Sequence, residues 1–288
     1  MSYDLFVSLI NGVLVGSIYG LAAIGLTLIF GVMNVINLMH GATIALGMFV
    51  LYFLVTGLGL NPYLALLPTF AGGFVFGVIV YWIAVHRVIG SSELMSLLAT
   101  YAVNMIIIGV GTLLWSTSPY NVIVNLPDLS LHQYTIPGTQ IVAAALALII
   151  AVLLYLFLYY TRLGKAVRAV SSNRAAAELM GIPTKRIMAF SFGLGIAIAG
   201  VSGLLIATLF PFTILSGMAY ELKSFVAVVL GGLGNPAGAL LGGILLGLIE
   251  GGVAPFLNVS WTPVIEFTLF VIILVAFPSG LFRIGRGR

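Results

Sequence analysis

Long uncharged stretches decide what this chain can fold into. Eight apolar runs, at about 5–30, 41–56, 63–85, 94–115, 141–160, 187–210, 225–254 and 261–278, cover most of its 288 residues. A helix needs roughly 20 mostly apolar residues to cross the hydrocarbon core of a bilayer. Only 6% of the residues are Asp, Glu, Lys or Arg, and the mean hydropathy is +1.24. About a quarter of a soluble domain is charged, so this chain cannot clothe a water-facing surface, and its outside faces lipid. The expectation is an all-α polytopic membrane protein with about eight hydrophobic segments, one or two of them broken or re-entrant. No separate soluble domain fits, so residues 1–288 form a single transmembrane domain.

Charge and composition exclude several functions. The net charge is +4, but the basic residues are too few for a nucleic-acid surface. There is no cysteine, which removes disulfides, thiol catalysis and Cys-ligated metals. The N-terminal MSYDLFVSLINGVLVGS has no Lys or Arg before its apolar run, so it reads as a retained span rather than a cleavable signal. The phosphate-binding pattern GxxxxGK[ST] is not met: Ala166 follows Gly164-Lys165, and no glycine lies five residues before Gly164. No nucleophile–base or metal constellation marks an enzyme.

Six of the eleven Lys and Arg residues lie between Arg162 and Arg186, in RLGKAVRAVSSNRAAAELMGIPTKR. Short loops rich in Lys and Arg stay in the cytoplasm. This places the 162–186 loop inside, the almost uncharged 116–140 connection outside and Arg87 inside; continuing back puts the N-terminus outside. The tail carrying Arg283, Arg286 and Arg288 also belongs inside. The seventh run then begins and ends on the outer face, though about 30 residues are too few for two full spans. Its centre, VVLGGLGNPAGALLGG, crowds Gly231, Gly232, Gly234, Asn235, Pro236 and Gly238. The expectation is two short helices meeting at a bend within the membrane, where irregular backbone survives only if protein buries it or water lines it.

A matching interruption lies near the start. FGVMNVINLMHGATIALG, Phe30 to Gly47, breaks its apolar stretch with Gly31, Asn34, Asn37, His40 and Gly41. In transporters, paired interrupted segments point to the solute pathway. Asn34, Asn37, His40, Gly41, Gly234, Asn235 and Pro236 are therefore the candidate pathway residues. Their polar groups either line a path or bond to neighbouring helices. Glu250 and Glu266 fall at run ends, where side chains reach water, and Glu221 and Lys223 mark the boundary before the seventh run.

The basic loop carries a local pattern of its own. Asn173 suits an N-cap, RAAAELM is made of good helix formers, Gly181 suits the C′ position and Pro183 follows the stop. A helix of about seven residues is marginal alone in water, so it is stable only when docked.

The segment Ala175 to Gly181 resembles the cytoplasmic EAA-xxx-G loop of ABC importer permeases, with Ala175 where that pattern has Glu and no match to the downstream part. GSIYGLAAIGLTLIFGVMNVINLMHG, Gly16 to Gly41, and VVLGGLGNPAGALLGGILLGLIEGG, Val228 to Gly252, resemble signatures of the branched-chain amino-acid ABC permease family, nearest to the first of its two paired subunits. With GKAVRAVSSNRAAAELMGI, the resemblance covers nearly the whole chain. It implies an inner-membrane importer subunit that binds no cofactor itself and relies on ATP used by partners. Those implied partners are a second related permease, two ABC ATPase subunits and an extracytoplasmic solute-binding protein. Asn173, Ala175, Ala176, Ala177, Glu178 and Gly181 would couple to the ATPases. Similar permeases serve urea, short amides or other small solutes, and a channel or carrier working without ATPases is the rival of a different class.

Overall fold

The computed structural model describes residues 2–131, 134–253, 255–256, 261–276 and 280–281. It is a bundle of helices: α1 (Ser2–Met33), α2 (His40–Leu58), α3 (Leu66–Val80), α4 (Glu93–Trp115), α5 (Gly138–Tyr160), α6 (Arg162–Ser172), α7 (Arg174–Leu179), α8 (Thr184–Ala207), α9 (Ser216–Gly231), α10 (Pro236–Val253) and α11 (Thr262–Ala276). Among the described residues seven helices are long and apolar enough to cross a membrane, so the chain is a multi-pass membrane protein. α3 continues through a π-helical turn at Tyr81–Val85. The 116–140 connection contains a small hairpin, β1 (Leu129–Leu131) paired with β2 (Tyr134–Ile136), for which the sequence shows no turn signal beyond its polar composition.

Small residues decide how the helices pack. α8 sits at the centre and is almost wholly enclosed, with α1, α2 and α3 against it. α2 crosses α8 where Gly47 meets Gly200, so closely that any side-chain carbon on Gly47 would overlap the Gly200 carbonyl. α1 runs antiparallel to α10 along a seam in which Gly12, Gly16 and Gly20 face Gly251, Gly247 and Gly243. A Cβ on Gly16 would lie 2.8 Å from the Gly243 carbonyl oxygen. Helices in lipid gain little from apolar burial against each other, so close backbone approach is their main source of contact energy. α3, α4 and α5 leave most of their apolar surface exposed, which is the surface that lipid covers.

The seventh apolar run is broken, as its glycines require. α9 and α10 form an antiparallel hairpin in which Ala227 faces Gly242 and Gly231 faces Gly238, with the turn at Gly232–Asn235. The two helices are longer than expected. α9 starts at Ser216 rather than near position 225, giving helices of 16 and 18 residues. At about 1.5 Å per residue these are roughly 24 and 27 Å, close to a full crossing of about 30 Å. The charged residues that had marked a boundary, Glu221 and Lys223, lie inside α9: Glu250, Glu266 and Tyr19 surround Lys223, and the Glu221 side chain packs against Gly41.

The chain order fixes two ends. α8 leads from the basic 162–186 loop to the opposite end, where Tyr120 and Phe212 pair their backbones (N···O 2.8 and 2.9 Å). An aromatic cluster closes that end, with Phe49 stacked on Trp115 at 4.3 Å and edge-on to Tyr120 and Phe212. The α9–α10 turn returns to the basic end, where the Leu281 N–H donates to the Leu230 carbonyl (2.9 Å). Arg283, Arg286 and Arg288 lie outside the described residues.

Candidate functional site

The first interruption is an unwound segment. α1 ends at Met33, Asn34 turns the chain with φ +52°, and α2 begins only at His40. Backbone freed from a helix inside a bundle must find other partners. Thr100 of α4, wholly buried, supplies them: its hydroxyl oxygen accepts from the Leu38 N–H (3.2 Å). The hydroxyl proton has the Ile36 carbonyl (3.3 Å) or the carbonyls of Ser96 and Leu97 (3.1 Å each) to donate to. The Asn37 side-chain oxygen accepts from the Met39 N–H (3.2 Å), which closes a local turn before α2. Asn37 and His40 are fully buried. The Asn37 amide nitrogen has no hydrogen-bond partner among the described residues, and the His40 ring approaches the Ala22 backbone without reaching good hydrogen-bond geometry.

The two interruptions meet, though only in part. Gly31, at the end of α1, lies against Gly234 of the α9–α10 turn: a Cβ on Gly31 would be 3.1 Å from the Gly234 Cα. The Gly234 N–H donates to the Thr27 hydroxyl of α1 (2.9 Å). Gly234 has φ +81°, a conformation that a residue with a Cβ adopts at a cost. Gly234 is exposed, with Asn235 and Pro236 half-buried beside it. Asn34 is exposed. His40 and Gly41 lie elsewhere, deeper in the bundle. The His40 ring approaches Gly25 of α1, and Gly41 packs against Gly217 and the Glu221 side chain of α9. The candidate pathway residues thus form two groups, one at the basic end and one enclosed among α1, α2 and α9.

The basic loop contains two helices rather than the single one its sequence announces. α6 is amphipathic, burying Gly164, Val167 and Val170 at spacings of three. Thr161 caps it by accepting from the Gly164 N–H (3.0 Å). Arg168 bonds the Leu158 carbonyl through Nε (3.0 Å) and lies 4.4 Å above the Tyr159 ring. The Ser171 hydroxyl donates to the Gly31 carbonyl. The loop is therefore tied to the residue that touches the α9–α10 turn.

α7 has the expected limits. The Asn173 side-chain oxygen accepts from the Ala176 N–H (3.0 Å). At the other end Gly181 takes φ +79°, its N–H donates to the Glu178 carbonyl (3.0 Å), and the Ile182 N–H donates to Ala177 (3.0 Å). These two bonds are the Schellman termination. Ala177 faces the bundle, while Asn173, Ala175, Ala176, Glu178 and Gly181 are exposed. Leu179 and Met180, not singled out from the sequence, are 89% and 83% exposed. An apolar pair at the tip of a basic loop was the signal that could have found them.

A third feature overturns a sequence expectation. Glu250 and Glu266 do not simply reach water from helix ends. Lys223 of α9 bonds Glu250 of α10, lies 3.6 Å from Glu266 of α11, and donates to the Tyr19 hydroxyl of α1 (3.2 Å). Glu266 is only 4% exposed. The cluster joins four helices and lines a cavity of about 390 Å³.

Comparison with known proteins places this architecture. No solved structure matches the chain. The chain is 29% identical to the high-affinity branched-chain amino acid transport system permease protein LivH of Escherichia coli, over 94% of this chain and 93% of that protein. It is 29% identical to the permease protein BraD of Pseudomonas aeruginosa, over 97% and 96%. It is 31% identical to the probable branched-chain amino acid transport permease protein LivH of Methanocaldococcus jannaschii, over 91% and 87%. Residues 8–275 match the family described as branched-chain amino acid transport system / permease component, and the chain belongs to that family.

Proposed function

We propose that this chain is the membrane-spanning permease subunit of an ATP-binding-cassette importer that carries leucine, isoleucine or valine into the cytoplasm. The observation that carries the reading is α7: a short helix stopped at both ends, presenting Leu179 and Met180 to solvent from a basic loop. An exposed apolar tip on a helix too short to be stable alone is a part made to be covered by another protein. The partner that fits is an ATPase subunit, since this sequence has no phosphate-binding loop of its own. The substrate class follows the printed names of LivH and BraD.

In this reading the 162–186 loop and the C-terminus face the cytoplasm of a bacterial-type inner membrane. A second, related permease completes the pathway, two ATPases sit below α7, and an extracytoplasmic binding protein delivers the solute. ATP-driven closure of the ATPases moves α7. The displacement passes through α6 and the Ser171–Gly31 bond to the end of α1 and the Gly234 turn. The unwound 34–39 segment, held by one hydroxyl and one side-chain turn, is the element able to repack between outward-facing and inward-facing states.

The test is to tag the chain, solubilise native membranes gently and identify what co-purifies in stoichiometric amount. Two P-loop ATPases with a second permease, followed by ATP-driven leucine uptake in vesicles, is the expected result. A chain that purifies alone and still moves solute in liposomes overturns it in favour of a channel or carrier.

A further inference from the structure

We propose that the corner between α5 and α6 binds the headgroup of an anionic phospholipid, with Arg162, Lys165 and Arg168 as its cations. The leaflet concerned rests on the orientation proposed above; the chemistry of the site does not. α5 turns into α6 at Thr161, so the corner joins the end of a lipid-facing helix to the start of an amphipathic one. The last turns of α5 expose Tyr155, Leu156, Tyr159 and Tyr160. Tyrosines gather where hydrocarbon gives way to headgroups. Tyr155 stacks on Tyr159 at 4.4 Å, and the Arg168 guanidinium lies 4.4 Å above the Tyr159 ring. This contact fixes the depth of the basic row. Arg168 stands at the rim of the tyrosine belt, on the side of α5 that lipid covers.

Charge decides what covers this corner. Arg162, Lys165 and Arg168 recur at intervals of three and are all exposed, while Gly164, Val167 and Val170 are buried beneath them. A basic row over an apolar underside is the pattern of a helix lying along a membrane surface. No Asp or Glu occurs between positions 128 and 178. Among the described residues no carboxylate pairs with any of the three cations. Arg168 uses only its Nε, on the Leu158 carbonyl (3.0 Å). The rest of its guanidinium fork is left for a phosphate, which it matches in shape and charge. An anionic headgroup supplies the missing negative charge, and its acyl chains continue along the exposed apolar face of α5. A zwitterionic lipid brings a cation of its own and leaves the row unbalanced. An ATPase fits the corner less well. It would have to cover Tyr155 and Tyr159 at the depth where hydrocarbon begins, and the apolar tip suited to it, Leu179 and Met180, belongs to α7.

The test is native mass spectrometry of the full chain, titrated in detergent with phosphatidylglycerol or with phosphatidylcholine of the same acyl chains. Each basic residue near an anionic surface adds about a fivefold gain in affinity. Phosphatidylglycerol is expected to bind at least about tenfold more tightly than phosphatidylcholine. Arg168→Gln weakens phosphatidylglycerol about fivefold and leaves phosphatidylcholine unchanged. The triple variant Arg162→Gln/Lys165→Gln/Arg168→Gln loses the preference altogether. Lys185→Gln/Arg186→Gln, which removes charge from the same loop, keeps it. Equal affinities for the two lipids in the unaltered chain overturn the proposal, and that comparison needs no variant to fold. So does a triple variant that keeps the preference, or a Lys185→Gln/Arg186→Gln variant that loses it, since net charge rather than the corner would then be acting. A triple variant that keeps its lipid preference and no longer retains the ATPases on a tagged column assigns the row to the ATPase and overturns the lipid site. The lipid measurement is made on this chain alone, so a failure of the importer reading leaves its result standing.

Discussion

Gly181 offers the sharpest test of the docking helix. Its φ is +79°, and a Cβ built there meets no atom within 4 Å. A substitution therefore acts through the backbone alone. A Cβ in the left-handed region costs roughly 1–2 kcal/mol, and Asn tolerates that region better than other residues. β-Branched residues tolerate it least. The two terminating bonds, Gly181 to Glu178 and Ile182 to Ala177 at 3.0 Å each, depend on that φ. α7 has only six residues and little stability to spare. A loss of one or two kcal/mol divides its folded population by about 5–30. Uptake is expected to fall in the order Gly181, Gly181→Asn, Gly181→Ala, Gly181→Val, with the last reduced about 5- to 30-fold while ATP hydrolysis continues. Gly181→Asp falls below Gly181→Asn, because its carboxylate adds to the negative end of the helix dipole, at about 0.3–1 kcal/mol. The assay is initial uptake and ATP hydrolysis in proteoliposomes, with permease abundance measured alongside. Full uptake by Gly181→Val at normal abundance refutes the reasoning. So does a loss in Gly181→Asn equal to that in Gly181→Val, because a contact rather than a backbone angle would then be demanding glycine.

Thr100→Val leaves the half-buried Leu38 N–H without its acceptor, a loss of about 1–3 kcal/mol; a lowered thermal midpoint in detergent and faster amide exchange at 34–39 are expected, and an unchanged exchange pattern counts against the role given to Thr100. Gly47→Val drives a side chain into the Gly200 carbonyl, whereas Gly57→Val meets open space. The first is expected to lose at least about 1–3 kcal/mol of stability through overpacking, the second almost none, both read by size-exclusion thermostability; equal midpoints would show that the α2–α8 crossing is not tight. Leu179→Asp removes an exposed apolar side chain whose burial is worth about 1.5–3 kcal/mol, so ATPase retention on a tagged column falls at least about tenfold. Undiminished retention would place the docking surface elsewhere.

What the sequence made legible depended on whether the signal was local. Apolar runs, the Asn173 cap and the Gly181 stop are decided within a few residues, and each appears where its chemistry puts it. The Gly232–Asn235 break was legible for the same reason. α6 was missed because its pattern of Gly164, Val167 and Val170 means something only once the underside of the bundle is there to receive it. The lower limit of α9 was missed for a related reason. Glu221 and Lys223 read as an edge while each is taken alone, since an unpaired charge does not belong in a span. Lys223 is not alone: Glu250 lies 27 positions along the chain, and Glu266 lies on a third helix. No window along the sequence holds all of them, so a charge that ends a helix by composition sits inside one by pairing. The candidate pathway shows both cases together. Gly31 and Gly234 meet because each marks a break that backbone chemistry fixes locally. His40 does not join them, because where a side chain lands after an unwound segment depends on Thr100, 60 residues later, which holds that segment in place.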